Sequence, residues 1–439
     1  AELLRTVPEI KTFFFKTNDA GGGFCWSDWL YSGPNGPSWC KSESTGERVK
    51  TLMTALQDGA KKAGKNITVY LTRDDGTNFS EEEKKDIDNN LPPGCYFIGR
   101  SSPGIARVEN FLGSYYPVKG IIDPVSVLQN IQSINEKPAQ TIFIGFDAAY
   151  HRANESADNA GLILAMLARE LKRATANEKI SIQQALMQYC EEWAGKNSAG
   201  QLFHAFDELE AAQQYKGDSL SRITGIYWGV STRLINRPLV IAPQRLKENE
   251  ESYFLPYVFN VSKQEAQMDY TDIHGAHNAI PDGVVEKYVT KLIQVSQLLE
   301  KIEASAPQRQ LIKNMAIALR IYASVMRSCG NFAEAQAIRD RNATKLNGPV
   351  HRPNKDVTWT GDPDFIRFNE VMRDELDNAQ ELIELLQNGG MNLVCHAKDS
   401  LHEDTFLLGP DLINQLQKKR KIMLDHWRDI EDYMASPFK

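Results

Sequence analysis

Three acidic residues stand where short apolar runs end. Asp19 follows Phe13 to Thr17, Asp123 closes Val118 to Ile122, and Asp147 closes Thr141 to Phe146. If those runs are strands of a parallel sheet, the loops beyond them open onto one shared cleft. Carboxylates around one mouth suit glycosidic-bond cleavage. One carboxyl of raised pKa protonates the leaving oxygen, while another activates water or attacks the sugar. Any one of these acids, taken alone, reads better as a polar loop residue or the N-cap of a following helix. The alternation of all three with apolar runs is what argues for chemistry.

The segment after the first run is aromatic as well as rich in Gly and Pro. From Thr17 to Cys40 it holds Asn18, Trp26, Trp29, Tyr31 and Trp39. Aromatic faces stack on the apolar C–H faces of sugar rings, and Asn or Asp bonds the hydroxyls. The competing reading, of equal weight, has Trp26, Trp29 and Trp39 pinning a long loop onto the core. His151 follows closely on Asp147 and could orient a carboxylate or bind a hydroxyl. Arg233 and Arg237 could grip an acidic sugar in bidentate fashion or pair inside the protein. The Asp207-Glu208 pair lies in a helical pattern and reads as a solvated face. His274 and His277 lack a third ligand, so no metal site is expected. The run Lys418-Lys419-Arg420-Lys421 reads as the wet face of the last helix.

These residues need elements to position them. Strands are expected at Phe13–Thr17, Ile67–Thr72, Cys95–Ile98, Val118–Ile122, Thr141–Phe146 and Ile226–Val230. Helical spacing separates several of them, at Glu47–Ala63, Asn159–Arg173 and Ile182–Trp193. Strands alternating with helices imply parallel βαβ units, and near-continuous apolar strands imply burial on both faces. A (β/α) barrel and an open doubly wound sheet both fit. With no GxGxxG after a strand and no GxxxxGK[ST], nucleotide-binding sheets lose ground. After Pro243 the pattern turns helical, at Glu265–Ala276, Val284–Ala304, Gln308–Cys329, Phe332–Leu346, Pro363–Leu386 and Pro410–Met434. Gly330 and Gly389-Gly390 stand where helices should stop, and the apolar run Ala316–Ala323 marks a central helix. An α/β part over 1–245 followed by a helical part over 246–439 is therefore expected.

Bulk properties narrow the classes. With 439 residues, 42% apolar and 24% charged, the chain can bury two or three cores. A net charge of -7 argues against a nucleic-acid surface. No apolar run reaches the ~18 residues of a membrane span. The opening Ala1-Glu2-Leu3-Leu4-Arg5 is no signal peptide, although a processed precursor could also open this way. The six cysteines form no CxxC. A Cys25–Cys40 bridge is conceivable, but free thiols in loops or cores fit the spacing better. No cofactor is expected.

The stretch Phe14-Phe15-Lys16-Thr17-Asn18-Asp19-Ala20-Gly21-Gly22, then Gly46-Glu47-Arg48 opening a helix and a strand at Ile67, resembles the mid-barrel region of α-glucuronidase-type glycoside hydrolases. It is also similar to uncharacterised bacterial relatives of those enzymes. In that family such a strand ends in a Ser-Glu-Gly that carries the general acid. Here the spot is Asp19-Ala20-Gly21, without the Glu, and Asp19 is the nearest substitute. Two later strands of the family present an Asp and a Glu that activate water. Gly120-Ile121-Ile122-Asp123 looks like the first, and Ile144-Gly145-Phe146-Asp147 falls where the second would be, with Asp for Glu. The resemblance covers roughly residues 10 to 150 and, less closely, the helical end. It implies a (β/α)8-barrel-like domain and a carbohydrate ligand. Asp19, Asp123 and Asp147 would be catalytic, with Asn18, Trp26, Trp29, Trp39, His151 and Arg233 binding substrate.

The Asp19 strand would be about the fourth of eight. A barrel with its first strands missing cannot close. Either a preceding segment or a partner chain completes it, or the fold is another one. Alternative expectations are a non-catalytic glycan binder on the same scaffold, and a homo-oligomer assembled through the helical half. Proteins of this kind are often exported, so a periplasmic or extracellular location is expected.

Overall fold

The computed structural model describes residues 1–15, 42–72, 80–98, 104–108, 115, 117–135, 139–144, 160–176, 178, 180–223, 234–247, 249–250, 283–350, 362–402 and 408–434. The chain divides into two units, Ala1–Val108 with Ile134–Ile144, and Glu109–Ser133 with Gly145–Lys439.

In the first unit, helix α1 (Glu2–Thr6) precedes strand β1 (Thr12–Phe15), helix α2 (Thr45–Lys61), strand β2 (Thr68–Thr72), helix α3 (Glu81–Asn90) and strand β3 (Cys95–Ile98). The strands form a parallel sheet in the order β1-β2-β3. Alternation along β2 and β3 sends Val69, Leu71, Cys95 and Phe97 to one face, where Val49, Met53 and Ala60 of α2 and Ile87 of α3 cover them. The other face carries Phe14, Tyr70 and Tyr96 in register across the strands, with the Tyr70 and Tyr96 rings stacked at 5.2 Å. Gly46 lets α2 and α3 meet, because a Cβ there would lie 2.4 Å from the Asp86 carbonyl oxygen. The Gly46 amide donates instead to the Asp86 carboxylate at 2.6 Å. Helix α3 starts on a capping box between Ser80 and Glu83. Strand β4 (Gly104–Val108) pairs in parallel with β5 (Ala139–Ile144) as a separate two-stranded sheet.

The second unit is helical. It contains α4 (Pro124–Asn135, whose end lies in the first unit), α5 (Ala160–Thr175), α6 (Ile182–Ala194), α7 (Ala199–Ile223), α8 (Val284–Glu300), α9 (Ala306–Arg341), α10 (Ala343–Leu346), α11 (Pro363–Gln387), α12 (Leu412–Asp425) and α13 (Arg428–Met434). Helix α8 packs on α7 and α9, and α11 packs on α9 and α12. As expected, Ala316, Ala318, Leu319, Ile321, Tyr322 and Ala323 of α9 are all buried.

These findings correct the expected (β/α)8-barrel. The described residues form a short three-stranded sheet and a strand pair, and the rest is mostly helix; no barrel closes among them. Val118–Ile122 is the clearest case. It is buried but forms no ladder among the described residues, where its bridge is antiparallel, Val118 to Val394. Pro117 and Pro124 flank it, and Gly120 at φ +89° bends it. An apolar run with buried sides thus came from an irregular segment inside a helical unit.

Gly330 does not end a helix, since α9 runs through it from Ala306 to Arg341. Its Cβ would lie 2.8 Å from Cγ1 of Val285, so the glycine serves the approach of α8 to α9. Gly389, at φ +102°, does end α11 as expected. The basic run is not wholly wet either. Lys419 is buried and donates to Glu375, to the Leu234 carbonyl at 3.3 Å and to the Ile235 carbonyl at 2.8 Å. Leu234 to Ala242 is buried, non-helical chain whose carbonyls need such donors. Arg339 bonds the Val240 carbonyl for the same reason. Among the described residues, no helix is long and apolar enough to cross a membrane.

Candidate functional site

Asp123 stands at the start of α4 in the helical unit and is half-buried. Its Oδ1 accepts from the Ser126 amide at 3.1 Å, the geometry of an N-cap. Its Oδ2 accepts from the Tyr115 hydroxyl at 3.2 Å. That hydroxyl in turn accepts from Gln213 Nε2 of α7 at 2.7 Å, so the Tyr115 proton is directed at Asp123. The result is a donor relay, Gln213 to Tyr115 to Asp123.

Three further elements surround this relay. Helix α7 brings Lys216, whose ammonium lies 5.3 Å from the Tyr115 ring centroid and 5.9 Å from that of Tyr322. Helix α9 brings Tyr322, edge-on to Tyr115 at 5.2 Å. Helix α8 brings Tyr288, edge-on to Tyr322 at 6.5 Å. The buried Tyr288 hydroxyl lies beside Tyr322 and Gln213, which act on it electrostatically.

Burial sets the electrostatics. It lifts the Asp123 carboxyl above its usual range. The Ser126 and Tyr115 bonds and the Lys216 charge pull it back, while Glu210 adds to the rise. Burial pushes the Lys216 ammonium down to about 8, against the opposing pull of Asp123. Tyr115 and Tyr288 are raised well above the ordinary phenol value, first by burial, so they remain neutral donors. A carboxyl tuned upward beside an ammonium and a directed hydroxyl is equipped to give or take a proton.

Of the catalytic and substrate-binding residues that the resemblance implied, Asp123 alone is among the described ones. Asn18, Asp19, Trp26, Trp29, Trp39, Asp147, His151 and Arg233 lie outside them, as do Cys25, Cys40, His274 and His277. Asp207 is exposed and Glu208 pairs with Lys291 at 2.8 Å, in keeping with a solvated face. Arg237 is wholly buried, and so are the thiols of Cys95, Cys190, Cys329 and Cys395. Among the described residues no group of His, Cys, Asp and Glu is arranged to hold a metal. Sequence reasoning did not single out Tyr115, Gln213, Lys216, Tyr288 or Tyr322 for the site. Glu210, Gln213 and Lys216 recur three apart on α7, beside the buried Leu209 and Ala212, and a polar edge to an apolar face draws no attention.

No protein-family profile and no curated protein matches the chain. Among solved structures it is similar to a GH138 enzyme targeting pectin rhamnogalacturonan II, at a TM-score of 0.50 and 11% identity. The likeness covers 98% of this chain and 63% of that one, so the chain spans under two thirds of that enzyme's length. That neighbour is not specifically of the α-glucuronidase type expected from the sequence, and the likeness is one of fold.

Proposed function

We propose that this protein is carbohydrate-active and hydrolyses a glycosidic bond in a polysaccharide- or oligosaccharide-derived sugar, acidic sugars included. The observation that carries the reading is the Asp123 carboxyl, raised by burial and fed by the Gln213–Tyr115 relay, on a fold similar to that of a glycoside hydrolase. Fold likeness alone is an analogy, and the carboxyl supplies the chemistry. In this reading Asp19 protonates the leaving oxygen, while Asp123 and Asp147 work on the base side, where a raised carboxyl makes Asp123 the stronger base toward water. Asn18, Trp26, Trp29, Trp39, His151 and Arg233 hold the sugar. The GH138 neighbour makes pectin fragments the first substrates to try.

A second reading is a non-catalytic glycan-binding protein on the same scaffold. It is favoured by the engagement of both Asp123 oxygens, by Ser126 and Tyr115. Incubating the protein with a panel of plant and bacterial glycans, pectin fragments included, separates the two. Released sugar supports the hydrolase. Binding without release supports the binder, and neither binding nor release contradicts both.

A further inference from the structure

The face of α7 toward Asp123 bears Glu210, Gln213 and Lys216 at successive three-residue steps. Glu210 accepts from Gln129 of α4 at 2.9 Å, and Gln213 donates to Tyr115 at 2.7 Å. Lys216 lies over the Tyr115 and Tyr322 rings. One stripe of α7 therefore holds both ends of the Asp123 environment. We propose that Lys216 is a positioning residue that favours the charged form of Asp123, an inference that rests on the catalytic reading of Asp123 given above.

Among the described residues few charged groups compete with Lys216. From its own segment Asp123 meets Tyr115, and α7 brings it Glu210 and Lys216 directly and Gln213 through the Tyr115 hydroxyl. From α8 it faces Tyr288, and α9 brings Tyr322 against the Tyr115 ring. The tyrosines stay neutral, so among the described residues around Asp123, Lys216 supplies the positive charge. Two aromatic faces hold its ammonium in place through their ring quadrupoles. The surrounding burial keeps its field from being screened. Burial lowers the Lys216 value, and Asp123 acts to raise it, which is the reciprocal of the same coupling.

The test is a carboxyl NMR titration of the whole chain, with the Asp123 signal identified by its loss in Asp123→Asn. In Lys216→Met the Asp123 midpoint should rise by a unit or more, a tenfold change in proton affinity, the shift that loss of a nearby opposite charge brings. In Lys216→Arg it should stay near the wild-type value. If turnover is present, the acid limb of its pH profile should move with the carboxyl. An unmoved midpoint in Lys216→Met overturns the inference, and so does an equal rise in Lys216→Arg. Should Lys216→Met fail to fold, the Lys216 side-chain titration in Asp123→Asn serves instead. Its midpoint should fall below that of the wild type, and an unchanged midpoint again overturns the coupling. Coupling without released sugar supports this inference while sinking the hydrolase reading. Turnover without coupling does the reverse.

Discussion

Lys419 donates to Glu375 in the interior of the helical unit, with both side chains shut off from solvent. Ser328 and Asn331 bond the same carboxylate at 2.7 and 2.8 Å, so the acid has partners on both oxygens. Burial depresses the Lys419 pKa, and Glu375 opposes that effect. Removing one partner leaves a buried charge uncompensated, which costs about 3–5 kcal/mol. Lys419→Met should lower unfolding stability by that order in a urea titration. Adding Glu375→Gln should recover part of the loss, because no charge is then stranded. Equal and additive losses would show that the pair does not act as a unit.

The closeness of Gly330 to Val285 gives a second prediction. In an exposed helix, Gly→Ala gains roughly 1 kcal/mol. Here the new methyl would lie 2.8 Å from Val285 Cγ1, and overpacking costs ~1–3 kcal/mol. Gly330→Ala should therefore fail to stabilise the protein, while the same change in a Val285→Ala background should stabilise it. A similar gain in both backgrounds would remove the packing explanation for this glycine.

Acid should unfold the helical unit through its paired carboxylates. Asp374 is held below its usual range: burial acts to raise it, but Arg327 at 2.8 Å and Asn331 at 2.9 Å outweigh that effect. Asp364 is lowered chiefly by Arg341 at 2.7 Å. A carboxylate with a depressed folded value stabilises above its unfolded value of about 3.9. That contribution is lost as pH falls from there through the folded value. The drop in stability between pH 6 and pH 3 should be smaller in Asp374→Asn than in the wild type. The same drop in both would rule out this carboxylate as a source of acid sensitivity.

Much of the local structure was legible because it rests on local patterns. Strand β3 occupies Cys95–Ile98 as read, and α11 begins at Pro363 as expected from a proline at a helix start. The errors came from long-range packing. Gly330 looked like a stop until Val285, 45 positions earlier in the sequence, explained it. Val118–Ile122 looked like a strand because burial inside a helical unit selects the same apolar residues as a sheet core. Asp123 could be picked out because it ends that run. Its partners Tyr115, Gln213, Lys216, Tyr288 and Tyr322 come from one neighbouring segment and three distant helices, and no sequence spacing joins them.

The most direct test of the account is the turnover of a pectin-derived oligosaccharide by the wild type and by Asp123→Asn, with sugar binding measured alongside. The account predicts sugar release by the wild type. In the variant, turnover should fall by about 10²–10⁴-fold, the usual share of a general acid or base, with binding retained. Equal turnover by the two proteins would contradict it.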